Sequence, residues 1–227
     1  ISGDNLRFTV VVHLGTLSAV IIIFRVEVAR ILKGIFCGRV RIQNGRIRFP
    51  NESTRLGWLL LLATGPAAIV GFWAKNRLDR FFVNSLAVGI FLMITGLILM
   101  LTRFFESGRG KSSWWSSLVV GCAQALAILP GISRSGTTIS AGLFCGIERR
   151  KAAEFSFLLS IPIILGGGLS EAGRAVTEGI TFHECLICIV GALASAAAGY
   201  LAIISLLKII RRGKLHYFSY YCWLLGL

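Results

Sequence analysis

The apolar positions of this chain fall in long runs rather than alternating stripes. Five runs approach the roughly 20 residues that a helix needs to cross a hydrocarbon layer about 30 Å thick. They are Phe8 to Phe24, Trp58 to Trp73, Phe81 to Leu101, Phe155 to Leu169 and Cys185 to Leu207, each bounded by charge, and a sixth begins at Tyr217 and stops at Leu227. The pattern predicts an all-α integral membrane protein with about six transmembrane helices. The first, second and fourth runs are short, which fits spans packed inside a bundle or prolonged by a turn into the interface.

Leu118 to Ile147 departs from this pattern. The run LVVGCAQALAIL stops at Pro130-Gly131, and TTISAGLFCGI starts only after Ser133-Arg134-Ser135-Gly136. Neither half is long enough to span. Proline removes a backbone donor, and irregular backbone at membrane depth survives only where it lines a cavity or packs against protein. A re-entrant helix, loop and helix satisfies both conditions.

Composition confirms the class: 55% hydrophobic and 15% charged residues among 227, with a mean hydropathy of +0.77, exclude an ordinary soluble domain. The net charge of +14 would suggest nucleic acid in a soluble chain. Here the Lys and Arg residues lie between the apolar runs, so they read as topology signals and contacts to anionic lipids, not to nucleic acid. If 118–147 re-enters, the segments Arg25–Gly57, Thr102–Ser117, Glu148–Glu154 and Lys208–His216 share one side with 18 Lys and Arg. The other side holds five: Arg7, Lys75, Arg77, Arg80 and Arg174. A single crossing would give 12 against 11, with no bias. The positive-inside rule therefore favours re-entry, with the basic loops cytoplasmic and both ends of the chain outside.

LLLLATGPAAIVG around Pro66 resembles FLLSIPIILGG around Pro162, 96 residues on. The echo predicts an inverted-repeat architecture: residues 1–117 form the first repeat, with spans 8–24, 58–73 and 81–101, and 118–227 the second, with the re-entrant segment 118–147 and spans 155–169, 185–207 and 217–227. Such repeats place binding sites where broken helices meet.

The candidate chemistry lies in Pro130-Gly131-Ile132-Ser133-Arg134-Ser135-Gly136-Thr137-Thr138. An Arg at the bilayer centre costs at least about 2.5 kcal/mol and marks function by default. Its guanidinium offers five donors in a fork suited to phosphate oxygens. Arg134 and Ser133 are the candidate catalytic residues. Ser135, Thr137 and Thr138 add hydroxyls, Gly131 and Gly136 let backbone approach a ligand, and the free amides at the start of the second half-helix favour an anion. The alternative is a structural turn whose Arg bonds to carbonyls. His13, within the first span, and Gln124, six residues before Pro130, are candidate pocket residues, each with an ordinary reading as an interhelical hydrogen bonder. His183, Cys185 and Cys188 have no partner cluster that completes a zinc site.

PGISRSGTT, preceded by GCAQALA and followed by AGLFCGIERRKAAEFSFLLSIP, resembles the second signature region of the bacterial undecaprenyl-diphosphate phosphatases of the bacitracin-resistance type. DNLRFTVVVHLGTLSAVIIIFR and YYCWLLG extend the resemblance over essentially the whole chain. It implies an inner-membrane enzyme that removes one phosphate from a C55 isoprenoid diphosphate so that the carrier lipid re-enters cell-wall synthesis, with a divalent cation, Mg or Ca, as cofactor. The family's first signature region, with two glutamates and a Ser-Ser-Thr-Gly-His run, is not in the sequence, and no carboxylate sits beside Arg134. The expectation is therefore a fragment that holds the phosphate-binding half, binds no metal itself and is inactive alone. The alternative from another class is an inverted-repeat secondary transporter or lipid flippase, since discontinuous helices are common there.

Overall fold

The computed structural model describes the backbone of residues 3–37, 41–43, 46–105, 108, 110–175 and 182–227 and, within these, the side chains of all but 3–7, 41–43, 46–48, 74–80, 82–83, 167–175 and 182–183. Nine α-helices are described: α1 (Gly3–Ile23), α2 (Arg25–Cys37), α3 (Glu52–Val83), α4 (Ser85–Leu101), α5 (Trp114–Leu126), α6 (Arg134–Phe144), α7 (Arg149–Ala175), α8 (Phe182–Arg211) and α9 (Phe218–Gly226). Between α2 and α3, β1 (Arg41–Gln43) and β2 (Arg46–Arg48) pair antiparallel with Ile42 opposite Ile47. Apart from this hairpin the protein is an all-α membrane protein. Among the described residues, Glu52–Trp73, Ser85–Phe104 and Glu184–Arg211 are long and apolar enough to cross a membrane. Phe8–Ile23 and Arg25–Cys37 pass the same test as a pair bent by 88°. The Phe155 to Leu169 run lies within the 27-residue α7, and the Tyr217 to Leu227 run forms the nine-residue α9.

Three boundaries differ from the sequence expectation, each for a local reason. Arg25 to Gly57 is not all loop: RVEVARILKGIFC is amphipathic and folds as α2, burying Ile31 and Gly34 while Arg25, Arg30 and Lys33 stay exposed. The Trp58 to Trp73 run belongs to a helix of 32 residues, because helical hydrogen bonding continues into charged flanks that a hydropathy search excludes. Phe81 belongs to α3, and the next span starts at Ser85, because Asn84 adopts an extended backbone and its side-chain oxygen accepts from the amides of Leu86 at 3.1 Å and Ala87 at 3.2 Å.

The chain divides into two compact units: Ile1–Val28 with Phe157–Leu206, and Ala29–Ser156 with Leu207–Leu227. In the first, α1 and α8 approach through small residues. A Cβ on Gly199 would lie 3.5 Å from Ala19 Cβ, and one on Gly15 would reach within 2.5 Å of the Ala192 carbonyl. Phe24, buried where α1 ends, stacks on Phe157 with ring centroids 5.9 Å apart.

In the second unit, α5 packs on α3 through Gly121, where a Cβ would come within 2.5 Å of the Ala63 carbonyl. Leu59, Leu60, Ala63, Val120 and Ala123 are buried there. α9 rests on α4, with the Trp223 indole against Gly96 and its Nε1 donating to the Met93 carbonyl at 3.2 Å.

The helix–loop–helix of α5 and α6 closes on itself. The amide of Gly110, before α5, donates to the Gly146 carbonyl, after α6, at 3.2 Å, and the Glu148 amide returns to the Gly110 carbonyl at 3.4 Å. Arg55 donates to the Ser112 carbonyl at 2.8 Å, Lys111 pairs with Glu52 at 3.0 Å, and the Arg149 guanidinium lies against Gly213. All four basic segments that charge counting assigns to one side thus meet at one end of this unit. The side chains of Arg7, Lys75, Arg77, Arg80 and Arg174, counted on the other side, lie outside the described residues.

Replacing Gly121 by Ala drives a methyl into the α3 backbone and is expected to destabilise by about 1–3 kcal/mol, as overpacking does. Cys122→Ala, at an exposed neighbour, is expected to change little. Thermal unfolding in detergent compares the two, and equal midpoints would contradict the close α3–α5 approach.

Candidate active site

The break between α5 and α6 is built from local hydrogen bonds. After Leu126 the chain turns tightly: the amides of Ile128, Leu129 and Ile132 donate to the carbonyls of Ala125 at 3.3 Å, Leu126 at 3.2 Å and Leu129 at 3.2 Å. Gly131 sits at φ 92°, in the left-handed region, and a Cβ there would lie 2.6 Å from the Val88 carbonyl of α4. Ser133 then caps α6. Its Oγ accepts from the Gly136 amide at 3.2 Å and its carbonyl from the Thr137 amide at 2.9 Å. The amides of Arg134 and Ser135, in the first turn, are left without an intrahelical acceptor.

The loop lies against α4 between Val88 and Thr95. Both are N-terminal to the helix end at Thr102, which packs among the basic segments. At about 1.5 Å per residue this sets the loop roughly 10–20 Å along α4 from that end. Arg134 is half-buried there, and among the described residues its guanidinium has no hydrogen-bond or ion-pair partner. The structural alternative, an Arg consumed by backbone carbonyls, is not what these residues form.

The predicted hydroxyls divide into two groups. Ser135 is half-buried without a described partner, and the Thr137 Oγ1 is buried without one. Thr138 is instead engaged: it donates to the Arg134 carbonyl at 2.7 Å and shares a 2.6 Å bond with Ser156 of α7. Gly136 is buried, and a Cβ on it would meet the Ser133 Oγ at 3.0 Å. Gln124, 2% exposed on α5, has an amide nitrogen with no partner. His13 belongs to the other compact unit, where its exposed ring donates from Nδ1 to the Thr9 carbonyl at 2.8 Å.

Two participants escaped the sequence reading. Ser156 lies in the following helix, and Thr95 is a fully buried hydroxyl in α4 that donates to the Gly131 carbonyl at 3.0 Å and accepts from the Ser133 amide at 3.2 Å. A threonine in the middle of the otherwise apolar stretch of SLAVGIFLMITGLILML was the available signal for Thr95.

This donor set does not fit a cation. The loop presents a guanidinium, hydroxyls and amides, and among the described residues no three of His, Cys, Asp or Glu form a group that could hold a metal ion. Glu52, Glu148 and Glu154 pair instead with Lys111 at 3.0 Å, Lys151 at 3.0 Å and Arg150 at 2.6 Å. The arrangement matches a phosphate: a planar fork beside free first-turn amides in apolar surroundings.

Gly131→Ala tests the loop geometry. The left-handed backbone costs an L residue about 1–2 kcal/mol, and the overlap with Val88 adds to it, so a lowered thermal midpoint is expected together with loss of phosphate binding. An unchanged midpoint and unchanged binding would show that the loop does not need this conformation.

Residues 2–227 match the family described as "Bacitracin resistance protein BacA". A protein of Alkaliphilus metalliredigens named undecaprenyl-diphosphatase is 37% identical over 98% of this chain and 83% of its own length. One of the same name from Carboxydothermus hydrogenoformans is 41% identical over 97% and 80%, and another from Methanobrevibacter smithii 39% over 99% and 83%. With a match running from residue 2 to residue 227 and relatives at this identity, the chain belongs to the BacA family of bacitracin resistance proteins.

Proposed function

We propose that the protein hydrolyses undecaprenyl diphosphate to undecaprenyl phosphate and inorganic phosphate, returning the carrier lipid to cell-wall synthesis and conferring bacitracin resistance. The observation that carries the reading is the Arg134 guanidinium, without a partner among the described residues, at the start of a half-helix whose first-turn amides have no intrahelical acceptor. In the reaction a water oxygen bonds to the terminal phosphorus, the bond from that phosphorus to the bridging oxygen breaks, and the bridging oxygen leaves with the lipid monophosphate.

Each residue of the loop has a definable task. Arg134 grips two terminal phosphate oxygens with its planar fork. The amides of Arg134 and Ser135 add donors with a favourable helix dipole. Ser133 uses a lone pair on the Gly136 amide, so its hydroxyl proton is free to point at the phosphate. Ser135 and Thr137 supply further hydroxyls, with Gly131 and Gly136 giving close backbone approach. Thr138 holds the Arg134 carbonyl and so fixes the first turn. Gln124, buried on α5 with its amide nitrogen unpartnered among the described residues, is a further candidate pocket group. A divalent cation, Mg or Ca, belongs to this proposal by the family resemblance, with ligands other than the described groups of this loop.

The same reading places the protein in the inner membrane, with the four basic segments at the cytoplasmic face against anionic lipids, both ends of the chain outside and the two inverted repeats divided at 117/118. The closed ends of the α5–α6 segment and the clustering of Arg55, Lys111 and Arg149 at one end of their unit support the placement.

In the enzyme produced from its complete gene, Arg134→Lys keeps the charge but loses the fork, and is expected to lose most phosphate release from a long-chain isoprenoid diphosphate. Arg134→Ala should lose essentially all, and Ser133→Ala and Ser135→Ala less. Near-normal turnover by folded Arg134→Ala would sink the reading, and lipid movement without phosphate release would favour a flippase.

Single cysteines at Ser112 and Lys151 in a Cys-free background are expected to label with an impermeant reagent from the cytoplasmic face only. Labelling from opposite faces would mean that the segment crosses.

A further inference from the structure

Many described hydroxyls in these helices bond back to their own helix, the usual behaviour of Ser and Thr in apolar surroundings. Thr64 donates to Leu60 at 2.8 Å, Thr102 to Leu99 at 2.6 Å, Ser140 to Gly136 at 2.7 Å and Ser195 to Ala192 at 3.0 Å. Thr95 does not. Its hydroxyl leaves α4, donates to the Gly131 carbonyl and accepts from the Ser133 amide, residues 36 and 38 positions away. One oxygen thereby satisfies both polar groups that flank Ile132 at the tip of the break.

The location makes this contact consequential. Thr95 is 0% exposed, so water is not a ready substitute. Gly131 holds a left-handed conformation against α4, and Ser133 is the cap whose carbonyl and hydroxyl begin α6. Fixing Gly131 and Ser133 to one side chain sets the start of α6, and Arg134 is its first helical residue. From the other direction, α4 is held beside Thr95 by Trp223, which bonds to Met93 and covers Gly96.

We propose that Thr95 is a positioning residue for Arg134, acting through Gly131 and Ser133, so that α4, outside the signature segment, sets the aim of the phosphate-binding fork. The proposal rests on the assignment of Arg134 to substrate phosphate. A misplacement of about 1 Å can cost on the order of a hundredfold in rate, so loss of this clasp is read in kinetics.

The experiment compares Thr95→Val, nearly the same shape without the hydroxyl, with Thr95→Ser, which keeps it, and with Thr102→Val as a control on the same helix. Phosphate release from a long-chain isoprenoid diphosphate is measured for each in the enzyme from its complete gene. Thr95→Val is expected to lose about tenfold in kcat/KM, and Thr95→Ser and Thr102→Val less than about twofold. If Thr95→Val fails to fold, Thr95→Ala takes its place. In an Arg134→Lys background the same Thr95→Val change should cost less than about threefold, because the two residues act through one geometry and their losses do not multiply. Normal kinetics in Thr95→Val, equal losses in Thr95→Val and Thr95→Ser, or fully multiplicative losses with Arg134→Lys would each overturn the proposal. Full activity in Arg134→Ala is a separate result, and it would remove the functional reading beneath.

Discussion

Breaking a helix inside hydrocarbon releases backbone donors and acceptors that no water can reach, and each left unpaired costs several kcal/mol. The α5–α6 segment is organised by this constraint. The amides of Ile128, Leu129 and Ile132 are taken by tight turns, the Gly131 carbonyl and Ser133 amide by Thr95, the Gly136 amide by the Ser133 hydroxyl and the Thr137 amide by the Ser133 carbonyl. Among the described groups, what remains open at the start of α6 is the first-turn amides, the Arg134 guanidinium, and the hydroxyls of Ser135 and Thr137, and on α5 the Gln124 amide nitrogen and the Ser117 hydroxyl. They are nearly all donors, or able to be. The loop therefore leaves open the groups that an anion can satisfy.

The same accounting explains where carboxylates stand. An acid beside Arg134 would satisfy the guanidinium permanently and compete with any phosphate. The described Glu52, Glu148 and Glu154 instead pair with Lys111, Lys151 and Arg150 where the basic segments meet. These exposed pairs add little stability individually. The Lys111–Glu52 pair and the Arg55 bond to Ser112 tie the start of the α5–α6 segment to the start of α3, and Gly110 with Gly146 joins its two ends.

Much of this was legible in the sequence, for physical reasons. A run of about 20 apolar residues or a proline-glycine break between two half-length runs has few stable solutions in a bilayer, and the cluster of Arg, Ser, Thr and Gly at the break needed no tertiary information. Boundaries were less legible because hydropathy marks the part of a helix in lipid, not its hydrogen-bonded length: α3 continues ten residues beyond Trp73. The helix from Arg25 to Cys37 was missed because its Arg and Lys residues resemble those of a loop until their spacing against Ile31 and Gly34 is considered. Thr95 and Ser156 were missed because their partners are distant in sequence. Only the folded contact distinguishes a hydroxyl that bonds to its own helix from one that holds another segment.

The loop's chemistry also limits what it can accomplish by itself. A guanidinium in apolar surroundings attracts phosphate strongly, but an interaction equally strong with bound substrate and transition state tightens binding without speeding the chemical step. In the proposed reaction Arg134 would contribute to rate to the extent that its fork matches the geometry and charge of the phosphoryl group in transit better than those of the resting diphosphate. That difference depends on position over fractions of an ångström, whereas simple attraction does not. A first turn held by Ser133 at the α6 cap, Thr138 within α6 and Thr95 of α4 is what binding alone would not require and what discrimination between the two states does.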